Sequence, residues 1–147
     1  MLFEESRFVR SFVGRVEPGD DVVESLTLLC DANDLSAATV RVTGTLRDVE
    51  VVRFVGGEYV PVVDDAGPFE IVHGNGQMAK LGDQSVLRLD ALVAVNGPAG
   101  QQLVFGQVRR ATAQDCEFVV DAREVLHVER RLDPASGRFP MTAGASR

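Results

Sequence analysis

No apolar run in this sequence approaches the roughly 18–20 residues that a membrane-spanning helix needs, so no membrane association is expected. The N-terminal MLFEESRFVR is acidic and lacks a secretory leader's apolar stretch, which makes the cytoplasm the expected location. Cysteine is scarce. Cys30 and Cys116 lie far apart without CxxC spacing, so both read as buried reduced thiols rather than a disulfide or a zinc site. His73 and His127 have no ligand spacing between them, and neither a metal nor another cofactor is expected. Lysine is nearly absent: Lys80 stands beside 14 arginines, a bias that GC-rich coding explains, and the net charge is −7. An acidic balance argues against a strong non-specific nucleic-acid binder, which needs cations to replace counterions along the phosphates. Acid collects early (Asp20, Asp21, Glu24) and base late (Arg123, Arg130, Arg131, Arg138), which leaves room for a locally basic face. There is no nucleophile elbow, Walker loop or dinucleotide fingerprint. Gly74-Asn75-Gly76 is too short for a phosphate loop and reads as a bend, and Ser25 and Ser85 have no histidine nearby in sequence to activate them. No catalytic residue is assigned, and an enzyme is not the favoured reading.

What is present is the ordinary globular mixture, 45% hydrophobic and 25% charged, in 147 residues, enough for one domain with a real core. One helix is predicted. Pro18-Gly19 turns the chain, Asp20 or Asp21 caps the first turn, and Asp21 with Glu24 has capping-box spacing. Val22, Val23, Leu26, Leu29 and Cys30 then form an apolar stripe, ended by Asn33-Asp34. The rest alternates or runs apolar as strands: 7–16, then ATVRVTGTL and RDVEVVRF, EYVPVV, a strand either side of the bend at 74–76, 85–95, 102–112, and a mixed-period run from Cys116 to Leu132. The expected fold is α+β: a single domain over 1–132, with a mainly antiparallel or mixed β-sheet of about seven or eight strands and one main α-helix. Residues 133–147, rich in Gly, Pro, Ser and Ala, are expected to be a flexible C-terminal tail unless a partner holds them, with Phe139 and Met141 as apolar anchors for such a contact.

The hairpin SVLRLDALVAVNGPAGQQLVFGQVRR holds the candidate site. Side chains alternate faces along a strand. Leu87, Leu89, Ala91, Val93 and Val95 therefore share an apolar face, while Arg88 and Asp90 interrupt the other. If Val95 pairs with Gln102, Asp90 lies opposite Gln107 and Arg88 opposite Arg109, while Leu92 meets Phe105 and Ala94 meets Leu103. The second face is then apolar toward the loop and polar at its far end. Arg88, Asp90, Gln107 and Arg109 are the candidate binding residues. Three readings stay open for them: a water-facing strand end, an ion-pair network at a subunit interface, or a ligand site. A slip of one residue would send the whole set to the other face.

The order of segments resembles the plants-and-prokaryotes-conserved (PPC) domain. In that family a strand leads to a "PGED"-like turn, a capped helix, and a strand ending near a glycine and "AL". Here those features fall on Pro18-Gly19-Asp20-Asp21, the helix from Val22, and Gly44-Thr45-Leu46. FEIVHGNGQM is similar to the family's "FEILSLSGNL", and LRLDALVAVNGPAGQQLVFGQV to its "HLHASLSDxxGxVxGGHL" hairpin. The resemblance covers roughly residues 7–130. It implies a sheet of about seven strands with one main helix, and for stand-alone prokaryotic members a homotrimer of unsettled biochemical function. In plants the domain follows AT-hooks in nuclear DNA-binding proteins, but no RGRP-like hook occurs here. The family's HxH pair and later histidine, which could converge on a metal, correspond to Arg88, Asp90 and Gln107, poor metal ligands as a set.

Three functions follow as expectations, in order: a homotrimeric protein-interaction or regulatory module; a DNA-associated regulator, opposed by the acidic balance; and a small-anion-binding protein or enzyme with an inter-subunit pocket lined by Arg88, Asp90, Gln107 and Arg109.

Overall fold

The structure is a computed structural model that describes residues 8–65, 67–97, 100–123 and 128–143; His127 lies outside them. Two long strands organise it. β2 (Ala37–Val55) and β6 (Gly100–Arg123) run antiparallel from Ala38 opposite Ala122 to Val52 opposite Gln107. Both outlast any single neighbour, so each half finds a different one. The second half of β6 takes β1 (Phe8–Val16), and its first half takes β5 (Gln84–Gly97). The second half of β2 takes β3 (Glu58–Asp65), and its first half takes β4 (Phe69–Leu81). Because β4 also pairs with β5, the order β2-β6-β5-β4 closes on itself as a ring. Two short strands complete the set: β7 (Val128–Arg130) joins β4 in parallel, and β8 (Met141–Ala143) pairs with β7. Eight strands and one helix bear out the expected α+β class.

The helix α1 (Val22–Ala32) begins and ends where its caps predict. The Asp21 carboxylate accepts from Glu24 N at 2.8 Å, and it also accepts from Ala111 N on β6 at 2.9 Å, so one side chain both starts the helix and fastens it to the sheet. Asn33 caps the C-terminal end, and Asp34 turns away with φ +54°. The buried stripe Val22, Leu26 and Cys30 packs over β5 and β6. Its partners are the inward side chains of the ring, among them Val40, Val42, Val51, Leu89, Val93 and Val108. No helix among the described residues is long and apolar enough to cross a membrane.

Two expectations are corrected. The strand pairs read from 38–54 and from 102–132 are each continuous over most of their length, because a strand that bends can pass from one neighbour to the next without a turn. In β2 the bending falls at Gly44 (φ +116°), where the register with β4 shifts, and at Asp48 (φ +46°), where the register with β6 shifts. Gly74-Asn75-Gly76 is not a bend; it lies inside β4. Glycine is needed there for close approach: a Cβ would stand 2.8 Å from Val42 O at position 74 and 2.8 Å from Arg88 O at position 76. Of the expected tail 133–147, residues 144–147 lie outside the described residues, and 133–143 run back beside β7. The Asp133 carboxylate accepts from Ala135 N at 3.0 Å and Ser136 Oγ at 2.6 Å, forming a turn that leads into β8. Composition alone predicts looseness, but an Asx-type turn and strand pairing give this segment partners of its own.

Cys30 and Cys116 are free and buried. Burial pushes each thiol from its ordinary 9.0 up to about 11, with Asp31 and Asp115 respectively adding to the rise. A folded pKa above the unfolded one means stability that is intact below pH 9.0 and lost as pH rises toward about 11. Urea titrations across that window should show stability falling, with a shallower fall in Cys30→Ala and Cys116→Ala; an unchanged slope would remove the thiols as its cause. Gly44→Ala should lower stability by more than about 3 kcal/mol, because its Cβ would lie 1.9 Å from Asp115 O at a positive φ. A cost below about 1 kcal/mol in the same urea assay would show that the bend relaxes.

Candidate functional site

The hairpin register is the one the alternation predicts. Val95 pairs with Gln102, Ala94 with Leu103, Leu92 with Phe105 and Asp90 with Gln107. The described pairing reaches Leu89 opposite Val108, so Arg88 and Arg109 lie one step past its end. Neighbouring strands extend these rows over the outer face. Asn75 of β4 stands beside Asp90, and Val52 of β2 beside Gln107; Gln77 stands beside Arg88. A polar band thus crosses three strands, β4, β5 and β6, and ends at the buried Val52 of β2.

All four predicted residues border clefts on that face. Arg88, Asp90 and Gln107 line one of about 260 Å³ together with Phe54 and Tyr59. Arg88, Gln107 and Arg109 line a second of about 170 Å³. Arg88 Nε donates to Asp90 Oδ2 at 3.1 Å, with both side chains more than a third exposed. The Arg109 guanidinium lies over the Tyr59 ring at 4.4 Å, and Arg138 lies over Phe54 at 4.5 Å. Phe54 and Tyr59 in turn pack edge to face, 5.0 Å between centroids. A cationic, aromatic-backed surface results, suited to anions and planar groups.

Sequence reasoning missed the residue that closes this site. Arg130 stands in the sequence reading as one of the late arginines and, with Arg109, Arg110 and Arg131, behind the DNA-associated role, yet it is 6% exposed and borders both the 170 Å³ cleft and a third one shared with Arg88 and Asp90. Its guanidinium donates to Phe139 O at 3.0 Å, which ties β7 to the chain's return. Burial, then the nearby Arg88, lowers its pKa, while Asp90 and Tyr59 oppose that shift. Phe139 and Met141, read as apolar anchors, both stay more than a third exposed: Phe139 borders the cleft beside Arg130, and Met141 pairs with Arg130. The sequence places Arg130 in the strand run 116–132, and it does lie in a strand, β7, but nothing local links it to Arg88.

The site does not fit the metal that the HxH positions would imply. Asp90, the one carboxylate among Arg88, Asp90 and Gln107, is already paired with a guanidinium. Among the described residues, no group of three or more His, Cys, Asp or Glu could hold a metal ion. His73 stands exposed in β4 opposite Leu92.

Comparison with known proteins now decides the family. The sequence profile of the Plants and Prokaryotes Conserved (PCC) domain matches residues 3–122. The chain belongs to that family. Among solved structures, a metal-containing protein from Archaeoglobus fulgidus is 21% identical, with a TM-score of 0.87 over 97% of this chain and 99% of that one. A plant- and prokaryote-conserved (PPC) protein from Pyrococcus horikoshii is 17% identical, with a TM-score of 0.83 over 95% of each chain. A protein from Ralstonia eutropha named as a candidate DNA-binding protein is 16% identical, with a TM-score of 0.74 over 88% of this chain and 89% of that one. At these identities the likeness is one of fold. No curated protein matches the sequence significantly. The chain therefore shares the family's fold, with Arg88, Asp90 and Gln107 on its β5–β6 hairpin.

The Arg88–Asp90 pair is solvated and should couple weakly. A double-mutant cycle of Arg88→Met and Asp90→Asn, read by urea unfolding, should give less than about 1 kcal/mol; a coupling of several kcal/mol would show that the pair is buried in the protein as it exists in solution.

Proposed function

We propose that this PPC domain is a cytoplasmic self-assembling module, a homotrimer that serves protein interaction or regulation rather than catalysis. The observation that carries the reading is the apolar tip of the β5–β6 hairpin. Leu103 and Phe105 are 61% and 60% exposed beside Leu92 on the outer face, and no element among the described residues covers them. Burying such a side chain contributes about 1.5–3 kcal/mol, and outward-facing large hydrophobics that adjoin one another mark interaction surfaces. A second copy is the occupant that the family resemblance favours, and three copies is the number it implies. The candidate residues supply no nucleophile with an activating base, which supports an interaction role over an enzymatic one.

A DNA-associated role is the second reading. The name of the Ralstonia eutropha relative and the outer-face arginines support it, and the net charge of −7 opposes it.

Native mass spectrometry should find three chains of 15.9 kDa in one particle. Leu103→Asp with Phe105→Asp should convert that particle to monomers without unfolding the chain. A wild-type monomer at micromolar concentration would end the assembly reading, and a trimer indifferent to both substitutions would move the interface elsewhere. A shift of duplex DNA at low salt, where phosphate attraction is strongest, would favour the second reading.

A further inference from the structure

One cleft is built differently from the rest of the surface. It lies where Tyr59 of β3, the arginines of β5 and β6, and the returning β7–β8 segment meet, and it encloses about 170 Å³. One wall is apolar: Leu81, Val86, Tyr59 and Phe139. The other carries Arg88, Arg109, Arg130 and the Gln107 amide, with no carboxylate among the described lining side chains. Arg88 is already paired with Asp90 at 3.1 Å, and that one solvated carboxylate is shared among three guanidiniums that border one small volume and repel one another.

Arg130 makes the arrangement specific. At 6% exposure it is far more buried than an unpaired surface arginine. Its NH1 is satisfied by Phe139 O, but Nε has no hydrogen-bond partner among the described residues. A purely structural tether for the C-terminal return would need only the contact with the carbonyl. It would leave a buried charged donor unsatisfied, which native proteins avoid because it costs about 1–3 kcal/mol or more. An oxyanion answers both features: it accepts from planar guanidinium forks and cancels their mutual repulsion.

We infer that this cleft binds a small organic anion, with its carboxylate or phosphate head on Arg130, Arg109 and Arg88 and a short apolar or aromatic body against Tyr59, Leu81, Val86 and Phe139. The volume admits a ligand of about one ring, small by the standard of drug-sized pockets, which span roughly 300–1,000 Å³. The site is made from one chain. It adds a ligand to the assembly reading and does not rest on it.

The test is isothermal titration at low ionic strength with benzoate, phenyl phosphate and inorganic phosphate, alongside circular dichroism of each variant. Benzoate or phenyl phosphate should bind once per chain, and inorganic phosphate at least about tenfold more weakly than phenyl phosphate. The preferred head distinguishes a carboxylate from a phosphate ligand. Arg109→Gln, an exposed position that leaves the sheet intact, should weaken binding about tenfold or more. Arg130→Met should do the same, and Arg41→Gln, on a distant part of the outer face, should leave it unchanged. Binding should survive in the Leu103→Asp, Phe105→Asp variant. Its loss there, with the chain still folded, would overturn a site within one chain. Equal binding of phenyl phosphate and inorganic phosphate would overturn the organic ligand. No binding of the three probes up to the order of 10 mM, or binding indifferent to Arg109→Gln, would overturn the site itself.

Discussion

The antiparallel pairing of β2 with β6 is the constraint on which the rest of this structure depends. Fifteen residues of β2, from Ala38 to Val52, run opposite Ala122 to Gln107. The two strands are too long for a common pair of neighbours, so each half recruits its own. Closure follows from the bend: once β2 curves at Gly44 and Asp48, its first half meets β4, which β5 already holds. A ring has no open edge within it. The backbone polar groups of β2, β4, β5 and β6 are therefore largely paired, and the inward side chains make a core that α1 covers.

The same register decides the chemistry of the outside. Alternation sends Leu89, Ala91 and Val93 inward, so Arg88, Asp90 and Leu92 must face out. Pairing with β6 sets Gln107 and Phe105 beside them, and β2 and β3 bring Phe54 and Tyr59 within reach of Arg138 and Arg109. The outer face consequently divides into an apolar hairpin tip and a cationic, aromatic-backed end. The first suits another protein surface and the second suits an anion. The apolar tip comes from that strand register alone, while the cationic end also draws Arg138 from the segment between β7 and β8.

Much of the fold was legible before any coordinates. The helix was readable because its signals are local: Asp21 capping Glu24 N and the Val22, Leu26, Cys30 stripe all lie within a few turns of one segment. The hairpin register was readable because one face of residues 87–95 is wholly apolar, which leaves a single parity that buries it. What failed was punctuation. Glycine at 74 and 76 reads as a bend, but those positions serve the approach of Val42 and Arg88 carbonyls from strands distant in sequence. Likewise, the Gly- and Pro-rich stretch from 133 reads as loose, yet the Asp133 turn and the β7–β8 pairing give it local partners.

The sequence by itself carried the family in the order of its segments, and it determined the helix and the outward parity of Arg88, Asp90, Gln107 and Arg109, because these follow from spacing within one helix or along a strand. Only the tertiary structure decided that β2, β6, β5 and β4 close into a ring and that Arg130 completes the arginine cluster. Arg130 stands 42 positions beyond Arg88 in the chain, and no periodicity links them. They meet because β7 docks beside β4 and the Phe139 carbonyl holds the buried guanidinium in place, a long-range contact set by packing.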